Sequence, residues 1–387
     1  METKKNKLVI SEKEGVICYG YFQDGIPAEL YCEPKEQESL LGNIYAARVE
    51  RIAEGIQGAF LEIGEGQKCY YSLSGEQPIK LSPGHENKLY GGDVILVQIT
   101  KDAVKTKLPV CTGNVSLDGK YFVFTLTEKR IGISKKIRKK EERERLNSLV
   151  KKYTDEDYGI IVRTNAAGIA EEILTEELKV LQQRYQELMR KAAGKTLLYK
   201  EPPYYITLGK ELPAKALDEI LTDSKEIYEE LQEYYKKDTS FDKISVTFYE
   251  DTYSLYNLYR FAHYYEEAYG KYIWLKSGAS LVIEHTEAMT VIDVNTGSVL
   301  KKKRQEFTFG ILVLEDISGI IMIDFINMKD EKQKEKLLLL LENECRKDRI
   351  HCNVVDMTAL NLVEMTRSKV RRPLLEQITV CRKMQKN

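Results

Sequence analysis

Residues 7–35 alternate apolar and polar positions around Gly15, Gly20 and Gly25, which predicts two or three short strands joined by turns. The same style continues over 39–115. There GNIYAARVERI, GAFLEIG, KCYYSL and DVILVQIT read as strands, each followed by a turn signal. Short strands of this kind with glycine turns predict a small barrel of the OB type. Over 116–165, KYFVFTL and YGIIVRT are further strands around a charged segment, SKKIRKKEERERLNSLVKKY, whose Leu146 and Leu149 stand at helical spacing. Residues 169–193 keep a helical period up to Gly194. A second long helix is expected over 213–237, opened by Pro213, and a third over about 254–269.

The pattern then changes to α/β. ASLVIEH, MTVIDVN and GIIMIDFIN are apolar strands, EKQKEKLLLLLENECRKD is a helix, HCNVVDM is another strand, and MTALNLVEMTRSKVRRPLLEQ reads as a closing helix. The 387 residues leave room for several domains, and 43% hydrophobic with 31% charged residues is a globular composition. A net charge of −1 makes the whole chain no electrostatic magnet for nucleic acid, so local charge must carry any such role. Seven cysteines without CxxC spacing argue against a disulfide framework and a Cys-rich zinc site, and they fit a reducing cytoplasm. METKKNKLVISEKEG lacks an apolar signal core, and the run ILVLEDISGIIMIDFINM is broken by Glu315, Asp316 and Asp324. A soluble cytoplasmic protein is expected.

Two aspartates stand out. Read as a strand, TVIDVN puts Val291, Asp293 and Asn295 on one face, and GIIMIDFINM puts Ile320, Met322 and Asp324 on one face. Each aspartate lies near the end of an apolar strand with an amide soon after it, Asn295 or Asn327. Neighbouring strands would bring the carboxylates together, and two such charges repel unless a cation or a proton lies between them. Oxygen ligands with retained water suit Mg²⁺, which can activate water and clamp a phosphodiester. On these residues alone, a second reading stays open: each aspartate merely caps the loop after its strand.

SGASLVIEHTEAMTVIDVNTG followed by SGIIMIDFINM resembles the catalytic segment of the ribonuclease E/G family. GNIYAARVERIAEGIQGAFLEIG resembles the start of that family's S1-type RNA-binding domain, and GISKKI with YGIIVRTNAAG its 5′-sensor segment. DRIHCNVVDMTALNLVEMTRSKVRRPLLE resembles the end of its catalytic region. The resemblance implies a Mg²⁺-dependent endoribonuclease that processes or degrades single-stranded, often A/U-rich RNA. It leaves 5′-phosphate and 3′-hydroxyl ends, with water as nucleophile. It implies an α+β multidomain chain: an RNase H-like fold from 1–38 and 207–268, an inserted S1-type OB domain over 39–113, a 5′-sensor region over 114–206, and a DNase I-like α/β catalytic subdomain over 269–387.

By the same resemblance, Asp293 and Asp324 are the metal ligands and Asn295 supports them. Phe60 and Tyr70 are base-stacking aromatics, Lys107 lies at the RNA channel, and Arg48 and Arg51 share a strand of the same barrel. Arg163 and Thr164 form a 5′-monophosphate pocket walled by Gly119 and Val123. The plainer readings are a core Phe60, a surface Tyr70 and an Arg163 held in a structural salt bridge. Basic runs at Lys135–Lys136 with Arg138–Lys140, at Lys301–Arg304, and at Arg367–Lys369 with Arg371–Arg372 offer phosphate contacts.

Three departures from the family accompany these matches. The stretch between the aspartates, SVLKKKRQEFTFGILVLEDISG, is short, and the family's helix there is expected to be mostly absent or rebuilt. ITVCRKMQKN carries Cys381 without the second cysteine of a CPxC zinc link, so no structural zinc is expected there, and a homodimer or higher oligomer would form without it. His351 stands close to where the family's sensor can place an arginine, which implies a weaker preference for 5′-monophosphate ends. The alternative to an active nuclease is a catalytically impaired RNA-binding relative acting in RNA or ribosome maturation.

Overall fold

The computed structural model describes residues 5–36, 39–75, 77–83, 88–103, 107–154, 156–192, 194, 196–213, 216–236, 244–274, 280–295, 310–325 and 331–385. The chain divides into two compact units, one of Met1–Glu38, Lys215–Gln232 and Ile244–Asn387, the other of Ser39–Ala214 and Glu233–Lys243.

The second unit contains the expected barrel. Strands Ile44–Ala53, Gly58–Glu62, Lys68–Ser72, Val110–Thr112 and Val94–Lys101 pair in that order, and the last pairs back onto the first, so five strands close on themselves. Alternation decides what fills it. Val49, Leu61, Cys69, Val97 and Ile99 point inward, while the residues between them face out. Beyond the barrel, four strands form a sheet in the order Ile131–Ile133, Gly159–Val162, Phe122–Thr125 and Ser116–Asp118. Helices Lys140–Lys151 and Glu171–Ala192 cover one face of this sheet. Leu146, Leu149, Leu174, Leu178 and Leu181 meet Phe122, Phe124 and Ile160 in one core. The charged segment after Ser134 is therefore a packed helix with one apolar face.

In the first unit the antiparallel strands Lys7–Lys13, Val16–Gln23 and Ile26–Pro34 are joined by Glu219–Thr222 and Ser245–Phe248, both running parallel to the first strand's side of the sheet. Helix Leu374–Met384 packs on the third strand, with Leu374, Ile378 and Cys381 buried beside Leu30 and Cys32. The C-terminal sheet has six strands in the order Tyr272–Trp274, Ser280–His285, Met289–Asn295, Gly319–Phe325, Leu362–Arg367 and Cys352–Met357. One face carries Leu281, Ile283, Ile292, Val294, Ile321, Ile323, Val363 and Met365. It packs against Leu337, Leu341 and Cys345 of helix Glu331–Lys347 and against Ile311 and Leu312. No helix among the described residues is long and apolar enough to cross a membrane.

Three expectations are corrected. The helix over 213–237 is a strand, Glu219–Thr222, followed by helix Lys225–Lys236. Short apolar runs do not separate strand from helix by period, and here an open ladder position beside Lys7–Lys13 took the run. The closing helix over 357–377 is strand Leu362–Arg367 followed by helix Leu374–Met384, with Pro373 at the N-cap. The alternation Val363, Met365, Arg367 buries one side, a period of two that a helical reading overlooks. The helix over 254–269 is two pieces, Leu255–Leu258 and Phe261–Tyr269, broken at Arg260, whose φ is +56°.

Glu315 is 5% exposed and borders a cavity of about 40 Å³ with Leu30, Tyr264, Ile311 and Leu374. Burial, reinforced by the nearby Glu267 charge, pushes its carboxyl up from 4.5 to about 8. The unfolded chain therefore ionises first. The group costs nothing below about pH 4.5, and stability is lost as pH rises from there towards the folded value. Glu315→Gln is expected to gain stability relative to the parent by about 3 kcal/mol between pH 5 and pH 7.5. Urea unfolding at the two pH values checks this, and a gain independent of pH would contradict it.

Candidate active site

Strands Met289–Asn295 and Gly319–Phe325 run parallel, with Met289 opposite Ile320, Val291 opposite Met322 and Asp293 opposite Asp324. Along both, Ile292, Val294, Ile321 and Ile323 are drawn into the apolar core, and alternation turns the aspartates to the other face. Both aspartates are exposed there. Their backbones are separated by one strand spacing, about 4.8 Å. Like charges at directly opposed positions are unfavourable unless an opposite charge joins them. Asn295 Nδ2 donates to Asp293 Oδ2 at 2.9 Å, which holds that carboxylate in one orientation.

These donors fit Mg²⁺. They are hard carboxylate oxygens on an open face, and Mg²⁺ is usually held by one or two carboxylates while it keeps several waters. No group of three or more His, Cys, Asp or Glu able to hold a metal ion occurs among the described residues. Asn327 and the Lys301–Arg304 run lie outside the described residues. Within the short crossover, residues 310–314 are helical, and Ile311 and Leu312 join the core beneath the sheet.

Arg367 ends the strand beside Asp324 and stands opposite Gly319. Its Nη1 meets Asp316 Oδ1 at 2.5 Å and the Ile317 carbonyl at 3.1 Å, and its Nε meets Asp348 Oδ2 at 2.8 Å. All three charged side chains are buried. The expectation that Arg367 belongs to a phosphate-contacting run is thus corrected. Its side chain is 2% exposed and committed to two carboxylates.

On the barrel, Arg51 stands opposite Phe60, Phe60 opposite Tyr70, and Arg48 opposite Glu62, so all four candidates share one outward face. The Phe60 and Tyr70 rings lie 6.2 Å apart edge to face, and the Arg51 guanidinium sits 4.9 Å from the Phe60 ring centre. Ala59 and Leu61 fill the interior instead, so Phe60 is not barrel core. Arg48 and Lys107 are exposed, and Lys107 leads into Pro109, whose carbonyl accepts the Tyr70 N–H at 2.8 Å.

The remaining candidates also converge. Val123 lies opposite Ile161, two residues before Arg163, and the Arg163 N–H bonds the Tyr121 carbonyl at 2.8 Å. Arg163 Nη1 donates to the Gly119 carbonyl at 2.7 Å, a backbone bond rather than a salt bridge. Buried Glu177 accepts the Lys120 and Tyr121 N–H groups and packs so closely on Gly119 that a Cβ there would overlap it. Thr164 Oγ1 pairs with Ser134 Oγ at 2.9 Å. Ser134 was not singled out from sequence. Its signal is that it opens SKKI directly after a short strand parallel to the one that delivers Arg163. His351 is exposed and its carbonyl accepts the Ser368 N–H.

The model of the ribonuclease E/G family matches residues 116–370. Ribonuclease G of Salmonella typhimurium (strain SL1344) is 31% identical over 377 residues, covering 91% of this chain and 77% of that protein. Ribonuclease G of Escherichia coli (strain K12) is 31% identical over 380 residues, covering 92% and 78%. Ribonuclease E of Nostoc sp. is 28% identical over 359 residues, covering 87% of this chain and 52% of its own length. With the paired aspartates and a closed five-stranded barrel in one chain, these matches place the protein in the ribonuclease E/G family.

Proposed function

We propose that this chain is an endoribonuclease that hydrolyses single-stranded RNA to 5′-phosphate and 3′-hydroxyl ends, with Mg²⁺ held by Asp293 and Asp324. The observation that carries the reading is the in-register carboxylate pair on an open sheet face. The names of the relatives, ribonuclease G and ribonuclease E, agree with it. When bound, the metal supplies a Lewis acid for the phosphodiester and the attacking water. Asn295 would hold the Asp293 carboxylate in one orientation through their hydrogen bond. The barrel holds the strand: Phe60 and Tyr70 stack bases, while Arg48, Arg51 and Lys107 meet phosphates. Arg163, fixed by the Gly119 carbonyl, and Thr164 receive a 5′-terminal phosphate against Val123.

In this proposal the five-stranded mixed sheet is the RNase H-like part, the closed barrel is the S1-type domain and the six-stranded sheet is the DNase I-like part. The setting is the cytoplasm, where thiols stay reduced. Any homodimer or higher oligomer would form without a zinc link through Cys381, whose side chain is buried in the core.

The test is incubation of a 5′-monophosphorylated single-stranded oligoribonucleotide with and without Mg²⁺, followed by analysis of the product ends. Cleavage that requires the metal and leaves 5′-phosphates is expected. Binding without cleavage at any Mg²⁺ concentration would reduce the chain to an RNA binder. Tyr70→Ala is expected to weaken RNA binding by about tenfold, since stacking contributes roughly 1–3 kcal/mol per base. Fluorescence anisotropy of a labelled oligonucleotide checks this, and unchanged affinity would remove Tyr70 from the interface.

A further inference from the structure

The edge strand of the catalytic sheet, Tyr272–Trp274, pairs with Ser280–His285 so that Tyr272 stands opposite Val282 and Trp274 opposite Ser280. On the next strand Val282 stands opposite Asp293 and Ser280 opposite Asn295. Directly opposed residues share a face, so two rows cross the sheet: Tyr272–Val282–Asp293–Asp324 and Trp274–Ser280–Asn295. Both aromatic rings therefore belong to the carboxylate face, with Tyr272 two strand spacings or about 10 Å from Asp293 and Trp274 the same two spacings from Asn295 at the backbone. Tyr272 is 60% exposed and Trp274 is 73% exposed, while Ile273 between them packs on the apolar core. The floor between rings and carboxylates is low, because Ser280 is small and buried and Val282 is only half-exposed.

We infer that Tyr272 and Trp274 form a shelf on which a base flanking the scissile phosphate stacks. The inference rests on the RNA-hydrolysis reading above and extends it to a second aromatic site, separate from the barrel. Aromatic side chains spaced two apart on a strand stand on one face of the sheet, and exposed sheet aromatics are what sheet-based RNA binders use to stack unpaired bases. Stacking accepts any base, so the shelf positions the strand without selecting sequence.

A protein partner fits less well. An edge strand of three residues, flanked by Lys271 in an ion pair with Glu284 at 2.9 Å, is a poor template for strand addition. The continuity of both rows with Asp293 and Asn295 favours the substrate.

Trp274 is the chain's single tryptophan, so its fluorescence reports on this site alone. Titrating the full-length protein with a single-stranded oligoribonucleotide, without divalent metal, is expected to quench it in parallel with binding followed by anisotropy. Under cleavage conditions Trp274→Ala is expected to raise KM about tenfold with kcat changed less than twofold, and Trp274→Phe to restore most of the loss. Tyr272→Ala is expected to act in the same direction. Saturating RNA that leaves the fluorescence unchanged, or a Trp274→Ala variant with parental KM, overturns the shelf. So does a Trp274→Ala variant whose defect is loss of an oligomer. Quenching without any cleavage would keep the shelf and sink the nuclease reading, whereas cleavage without quenching would do the reverse.

Discussion

Asp293→Asn and Asp324→Asn are each expected to lower kcat on single-stranded RNA by about a thousandfold while leaving RNA affinity within a factor of two. Each amide keeps the shape of the carboxylate and removes one of two anionic ligands, and preorganised charge of this kind contributes several kcal/mol at a transition state. Affinity should persist, because the stacking and phosphate contacts proposed for the barrel are made by other residues. The fold should persist as well. Both aspartates are exposed, and removing one of two opposed like charges relieves repulsion across the strand pair. The melting temperature should thus stay level or rise slightly. Single-turnover cleavage together with anisotropy separates the two quantities. A variant retaining a tenth of parental activity would exclude these side chains as the metal ligands.

The largest effect on stability is expected at Arg367. Arg367→Ala leaves Asp316 and Asp348 buried without their shared cation, and breaking such a set from one side costs about 3–5 kcal/mol. Burial alone would lower the guanidinium's pKa, but the hydrogen bond to Asp348 and the Asp316 charge outweigh it and raise it, so Arg367 stays charged. Burial pushes the Asp316 carboxyl up, and Arg367 pulls it back in part. Without the arginine the folded state resists ionising Asp316 still more strongly. The variant's deficit should therefore shrink at low pH and grow as pH rises above the ordinary aspartate range. Urea unfolding of parent and variant at pH 5 and pH 8 tests magnitude and sign together. A deficit under 1 kcal/mol at pH 8 would mean that water or another cation replaces the arginine.

Arg367 also shows what a linear reading misses. In sequence it stands in a run of basic residues near the C-terminus, and such a run looks like a solvated or phosphate-binding face. Its partners are 51 and 19 positions away, on a turn before the Asp324 strand and at the end of a helix, and no local pattern announces them. The strand Glu219–Thr222 was hidden for a similar reason. Four residues carry too little period to outweigh a helical surround, and a vacant ladder edge more than two hundred residues away settled the matter. Phe60 could have been read as core or surface from its strand alone, and the bulge between Val49 and Arg51 helps set which residues face it.

Alternation and turn chemistry are local properties of the backbone, so they were written in the chain. They marked four of the five barrel strands, leaving out Val110–Thr112, together with the helices Lys140–Lys151, Glu171–Ala192 and Glu331–Lys347 and the two apolar strands that each end near an aspartate. Period also placed Asp293 on one face with Val291 and Asn295, and the structure showed that face to be the open one. Which strands become neighbours is a matter of long-range pairing, where loop-closure entropy is set against burial, and the tertiary structure alone decided it. That choice put Asp293 beside Asp324 rather than one residue out of step, drew Arg367 into a buried ion cluster, and set Tyr272 in line with the carboxylates and Trp274 in line with Asn295. A slip of one position in any of these ladders would have turned the same side chains to the opposite face.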